Sequence, residues 1–211
     1  MSPATVGIVD YGMGNRRSVE KALERVGARA VVTADHDALM AADGLIVPGV
    51  GAFPAAMASL RALGLDELVV RRAQAGTPVL GLCLGMQLLF ERSVELGGDE
   101  GLGLLPGRVV GLAPDPPALK IPHIGWNEVT LERPSALTEG FGATASFYHV
   151  HSYAARPDDD ADVVGRGEYG ERFVSIAERG TIMGAQFHPE KSSREGLALL
   201  RNFVSLRAAV S

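Results

Sequence analysis

Short runs rich in β-branched residues alternate with helix-spaced segments through the first half of the chain, and this alternation restricts the fold more than any other feature. It specifies βαβ units around a parallel sheet. Residues 5–9 read as a first strand, and Asn15 as the cap of a helix carrying Val19, Ala22, Leu23 and Val26 that Gly27 stops. Residues 29–33 and 44–47 follow as strands, then a Gly- and Pro-rich loop, two short helices ending near Gly76, and a fourth strand at 77–82. The second half strings strand-like runs together at 108–112, 127–131, 145–150, 162–164, 173–177 and 182–186. Helical spacing returns at 194–206, with Leu197, Leu200, Phe203 and Val204 on one face. The expected fold class is α/β: a central mixed, mostly parallel sheet flanked by helices, with antiparallel additions in the C-terminal half.

At 211 residues and 46% hydrophobic, the chain can bury one sizeable core, and residues 1–211 are expected to form a single domain. A net charge of -5 argues against a protein that mainly neutralises nucleic-acid phosphates or coats an anionic membrane. The longest apolar run, 79–90, is too short to cross a bilayer as a helix. The stretch from Met1 to Asp10 lacks the basic flank and apolar core of a secretory signal, which makes the cytoplasm the expected location. The lone cysteine excludes an intramolecular disulfide and any zinc site built from several thiolates.

That cysteine stands in Gly81-Leu82-Cys83-Leu84-Gly85, where a strand runs into a helix. Such a spacing is a nucleophile elbow: strand and helix backbones approach too closely for side chains at the two flanking positions. Exposed N–H groups at the helix mouth favour a thiolate, which would make Cys83 nucleophilic. A buried, inert cysteine is the alternative, but a core-filling strand has no need of glycine on both sides. A thiol needs a base, and of His36, His123, His149, His151 and His188 the last has the best surroundings, Gln186-Phe187-His188-Pro189-Glu190. If Pro189 keeps the backbone extended, side chains two apart share a face, and Glu190 can hold one imidazole nitrogen while the other faces Cys83. Pro48-Gly49-Val50-Gly51 is the candidate oxyanion loop, its Val50 and Gly51 working with the N–H of Leu84.

Pro-Gly-Val-Gly, Gly-Leu-Cys-Leu-Gly-Met-Gln and Phe-His-Pro-Glu, in that order, resemble the class I glutamine amidotransferases. More narrowly, Asp10 to Asn15, Gly103 to Gly107, Ile124-Gly125-Trp126-Asn127, Val150 to Tyr153 and His188 to Ser192 are similar to the glutaminase subunits of imidazole glycerol phosphate synthases. The resemblance implies a Cys83, His188, Glu190 triad acting through a γ-glutamyl thioester, with Gly51, Gln87, Ser152 and Tyr153 binding the glutamine substrate. It also implies a heterodimer with a (β/α)8-barrel cyclase, fed with ammonia for histidine biosynthesis. The partner face would include Asn15, Lys120, Pro122, Trp126, Tyr148 and Lys191, although a lone tryptophan can equally serve a core. Arg16 and His149 depart from the family pattern. No cofactor or metal is expected: Arg17 replaces the third glycine of a dinucleotide loop after Gly12-Met13-Gly14, and His149 with His151 lacks an evident third ligand. The competing readings are another class I amidotransferase, a free-standing γ-glutamyl hydrolase, or a non-catalytic interaction module.

Overall fold

The computed structural model describes residues 3–115 and 119–206, so Met1 and Ser2 of the N-terminal stretch lie outside the described residues. The first half runs β1 (Thr5–Val9), α1 (Arg16–Arg25), β2 (Arg29–Thr33), α2 (His36–Met40), β3 (Gly44–Gly49), α3 (Phe53–Ala62), α4 (Leu65–Gln74) and β4 (Val79–Cys83). There follow α5 (Leu84–Leu88), β5 (Phe90–Ser93), β6 (Asp99–Glu100), β7 (Leu105–Gly111), β8 (His123–Leu131), β9 (Thr144–His151) and β10 (Tyr153–Pro157). The chain closes with β11 (Val163–Glu168), β12 (Arg172–Arg179), β13 (Ile182–Ala185) and α6 (Ser193–Ser205).

Among the described residues nine strands make the main sheet, in the order β2-β1-β3-β4-β13-β12-β11-β8-β9. Its first five members run parallel, and from β13 onward every pairing is antiparallel. The parallel half owes its burial to strand periodicity. In β1, Val6 and Ile8 enter one core and Val9 the other; in β3, Ile46 opposes Leu45 and Val47 in the same way. One face is covered by α3 and α4 through Phe53, Met57, Leu60, Leu65, Leu68 and Val69, the other by α1 and α6 through Val19, Leu23, Leu199, Leu200 and Phe203.

Several elements differ from the sequence expectation. The segment 108–112 falls in β7 as far as Gly111, with Leu112 outside the strand, and β7 belongs to a second, four-stranded sheet, β10-β7-β5-β6, that sequence periodicity did not reveal. The apolar run after Cys83 leaves the helix at Leu88 and enters strand β5 at Phe90, which pairs with Leu105 of β7. Asn15 does start α1, yet its side chain makes no cap bond; its carbonyl accepts the N–H groups of Ser18 and Val19 instead. Among the described residues no helix is long and apolar enough to cross a membrane.

Candidate active site

Parallel pairing decides where the sequence motifs meet. β3 and β4 are in register with Pro48 opposite Leu82 and Gly49 opposite Cys83, while β13 sets Ala185 opposite Leu82. The glycine loop, the cysteine and the Phe187-His188 segment therefore emerge side by side at the carboxyl edge of the parallel strands, where α/β sheets open a crevice. From the other flank β9 reaches the same point: His149 bridges Phe187, and the His188 N–H donates to Tyr148 O at 3.0 Å.

Cys83 sits at the turn with φ 54° and ψ -111°, a backbone conformation that costs a residue bearing a Cβ about 1–3 kcal/mol. The flanking glycines make it possible. A Cβ at Gly85 would overlap the Val47 carbonyl, and one at Gly81 would overlap the carbonyl of Gly85. Gly49 leaves room for Leu84 and the Tyr11 hydroxyl, which donates to Pro48 O at 2.5 Å and ties the glycine loop down. Burial first, then the nearby Cys83, pushes the Tyr11 phenol's pKa above its ordinary value, so it remains a donor.

Cys83, Leu84, Gln87, Val50, Gly51, Ser152, Tyr153, His188 and Lys191 line a cavity of about 300 Å³. The Cys83 thiol lies 3.5 Å from Val150 O, and His188 Nδ1 is 3.0 Å from Glu190 Oε1. Burial opposes charge on His188, yet hydrogen bonds to Cys83 and to Glu190 overcome it and raise the imidazole pKa to about 9. The route to this contact is not the extended chain expected from sequence: Pro189–Lys191 curls into a 3-10 turn that swings Glu190 back under the ring. Ser192 clamps that turn, accepting the Tyr148 N–H at 3.0 Å and donating to His188 O at 2.7 Å.

Gln87 lines the cavity too, but its amide nitrogen is committed inward, donating to Tyr153 O at 3.0 Å and to Gln186 Oε1 at 3.1 Å. Only its oxygen is left for a ligand. Of the expected partner-face residues, Pro122 and Lys191 reach the cavity itself, while Trp126, 54% exposed, packs edge-on to Tyr148 with ring centroids 6.2 Å apart. The core alternative for Trp126 is thereby excluded. Lys120 is exposed, and Asn15 is half-buried at the start of α1. Arg16 forms an ion pair with Asp10.

Glu95 escaped the sequence reading. It lines the cavity and accepts the Phe53 N–H at 2.8 Å, bracing the start of α3 beside the glycine loop. Its partner is 42 residues away, and Ser-Val-Glu-Leu-Gly-Gly carries no signal beyond a turn. The histidine pair flagged in the sequence is in fact three buried rings, His123, His149 and His151. Among the described residues, no group of three or more His, Cys, Asp or Glu has the geometry to hold a metal ion.

The profile of the class-I glutamine amidotransferases matches residues 7–206. The chain belongs to this family. Among its relatives within the amidotransferases, imidazole glycerol phosphate synthase subunit HisH of Moorella thermoacetica is 50% identical over 201 residues, 95% of this chain and 94% of that one. The subunit of the same name from Aquifex aeolicus is 48% identical over 197 residues, covering 93% and 94%. The solved structure of PurLQS from Thermotoga maritima superposes with a TM-score of 0.73 at 19% identity, over 97% of this chain and 99% of that one. At that identity the shared architecture alone follows.

Proposed function

We propose that this chain is the glutaminase subunit of an imidazole glycerol phosphate synthase, a single domain that hydrolyses glutamine to glutamate and ammonia and passes the ammonia to a (β/α)8-barrel cyclase. The observation that carries the reaction is the buried His188 between Cys83 and Glu190, its pKa raised to about 9, in a cavity that Val50 and Gly51 of the glycine loop help to line. A histidine that keeps its proton at neutral pH beside a sulfur is the acid that a departing amine requires.

In this reading the Cys83 sulfur attacks the carboxamide carbon of glutamine, and the N–H groups of Val50, Gly51 and Leu84 receive the developing oxyanion. His188 gives its proton to the nitrogen as the C–N bond breaks, leaving a γ-glutamyl thioester and free ammonia. Water then attacks the thioester, His188 takes its proton, and the C–S bond breaks to release glutamate. Glu190 holds the ring in orientation and stabilises its charge. Gln87, Ser152 and Tyr153 hold the amino-acid end of the substrate.

The partner face is supported by the exposed apolar side chains Ile124 and Trp126 on β8, beside Tyr148 and close to cavity-lining Pro122 and Lys191. Ammonia released to neutral water would be protonated and lose its nucleophilicity, so a subunit covering that face protects it. Asn15 and Lys120 complete the proposed contact, and a cytoplasmic heterodimer is the working form. The test is ammonia release from glutamine by the wild type and Cys83→Ala, each alone and with the cyclase subunit and its ligand. Feeble release that rises sharply in the complex and vanishes with Cys83→Ala is expected. High release by the isolated chain would favour a free-standing hydrolase, and release indifferent to Cys83→Ala would sink the mechanism.

A further inference from the structure

Beside the cavity lies a chain of hydrogen bonds whose proton positions are fixed at both ends by backbone groups. Register pairs His123 on β8 with His151 on β9, and both rings are at least nine-tenths buried. At one end His151 Nδ1 lies 2.9 Å from Tyr153 O. A carbonyl only accepts, so Nδ1 carries the hydrogen and Nε2 of the neutral ring is an acceptor. His123 Nδ1, 3.1 Å from that Nε2, must therefore donate, which leaves His123 Nε2 as an acceptor. At the other end Asn127 supplies the donor: its Nδ2 lies 3.4 Å from His123 Nε2 and donates to Glu168 O at 2.8 Å, while its Oδ1 accepts the Glu168 N–H at 3.3 Å. The two backbone contacts leave the Asn127 amide one orientation, and that orientation agrees with the tautomers set from the opposite end.

The chain reaches the cavity through the Tyr153 carbonyl, which also accepts from Gln87 Nε2. Flipping the Gln87 amide would set its oxygen against that carbonyl, so Tyr153 decides which end of Gln87 faces a ligand. Gln186 must then present its oxygen to Gln87, and its own buried Nε2 is left without a partner. An orphaned buried donor is a cost that a freely rotating amide would avoid. His149 stands outside the chain: its Nδ1 is satisfied by Phe147 O and its Nε2 by Ser175 Oγ, and it packs between the His123 and Phe187 rings.

We infer that His123 and His151 are positioning residues which, as a neutral hydrogen-bonded pair, fix the Tyr153 carbonyl and thereby present the Gln87 oxygen to an N–H donor of the substrate. The inference rests on reading this cavity as the glutaminase site. Its signature is a defect in substrate affinity rather than in the chemical step. His123→Phe keeps the ring that stacks on Tyr169 but loses the donor; His123→Asn loses the ring but can keep a donor near Nδ1. In the full complex with the cyclase subunit, His123→Phe is expected to raise the KM for glutamine about 5- to 10-fold with kcat within about 3-fold, and His123→Asn to restore most of the affinity. His149→Phe, a packing control, is expected to leave KM within about 2-fold. The reverse ranking, with Phe tolerated and Asn impaired, would show that ring packing alone matters and overturn the inference.

A second measurement does not depend on activity. In nitrogen-15 spectra of the wild type at neutral pH, His123 and His151 are both expected as neutral rings protonated on Nδ1; an Nε2–H tautomer at either overturns the inference. Failure of the glutaminase reading would appear separately, as a wild-type complex without Cys83-dependent ammonia release.

Discussion

His188 and His151 are each 5% exposed and line the same cavity, yet their pKa values move in opposite directions, to about 9 and to about 4. Burial opposes charge on both rings. What separates them is their partners. His188 has a carboxylate and the Cys83 sulfur, which favour an imidazolium more than burial disfavours it. His151 loses charge to burial, which its bond to the Tyr153 carbonyl only partly offsets, and the nearby His123 and His188 lower it further. His149 is driven well below the ordinary value, again by burial first. One cavity thus holds a ring that favours its charged form beside one that favours its neutral form.

Substitution at each kind of ring should expose this division most sharply. His188→Ala is expected to lower kcat/KM for ammonia release by about 10³-fold or more, whereas His149→Phe should leave it within about 2-fold, as steady-state kinetics in the complex would read. Comparable losses in both variants would break the distinction. Next in size, Glu190→Gln should lower kcat/KM by about 10²-fold and bring the His188 titration down from about 9, followed by NMR. An unmoved titration would remove the carboxylate from the account.

Stability should show the same opposition. The folded His151 pKa lies below its unfolded value, so the stability of its neutral ring is complete above pH 6.5 and is lost as pH falls through about 4. That gap corresponds to about 3 kcal/mol. His188 is raised, so its contribution is complete below pH 6.5 and is lost as pH rises through about 9. Urea unfolding at acid, neutral and alkaline pH should find the maximum between these limbs, and Glu190→Gln should flatten the alkaline one. The smallest effect is at Tyr11→Phe, where losing the hydroxyl bond to Pro48 should cost about 1 kcal/mol while the fold persists.

Local patterning made much of this legible in the sequence. The boundaries of β1 and β2 follow from β-branched runs, and the elbow at Cys83 follows from the glycines two residues to each side, since both need only nearby chain geometry. The His188 and Glu190 contact was foreseen for the wrong local reason, because Pro189 begins a 3-10 turn instead of holding a strand. Glu95, the second sheet and the packing of His123 against His149 and His151 were invisible. Each depends on a partner far along the chain: Phe53 for Glu95, β10 for β7, His151 for His123.

The sequence by itself determined that the chain alternates into an α/β sheet, that Cys83 occupies a turn only glycine neighbours permit, and that a histidine and a carboxylate lie within reach of each other. Tertiary structure alone decided that β13 inserts beside β4 to bring His188 to Cys83, that Trp126 faces solvent, and which buried histidines keep a proton. The physical reason is that steric limits act between neighbours in the chain, whereas burial and charge act between neighbours in space.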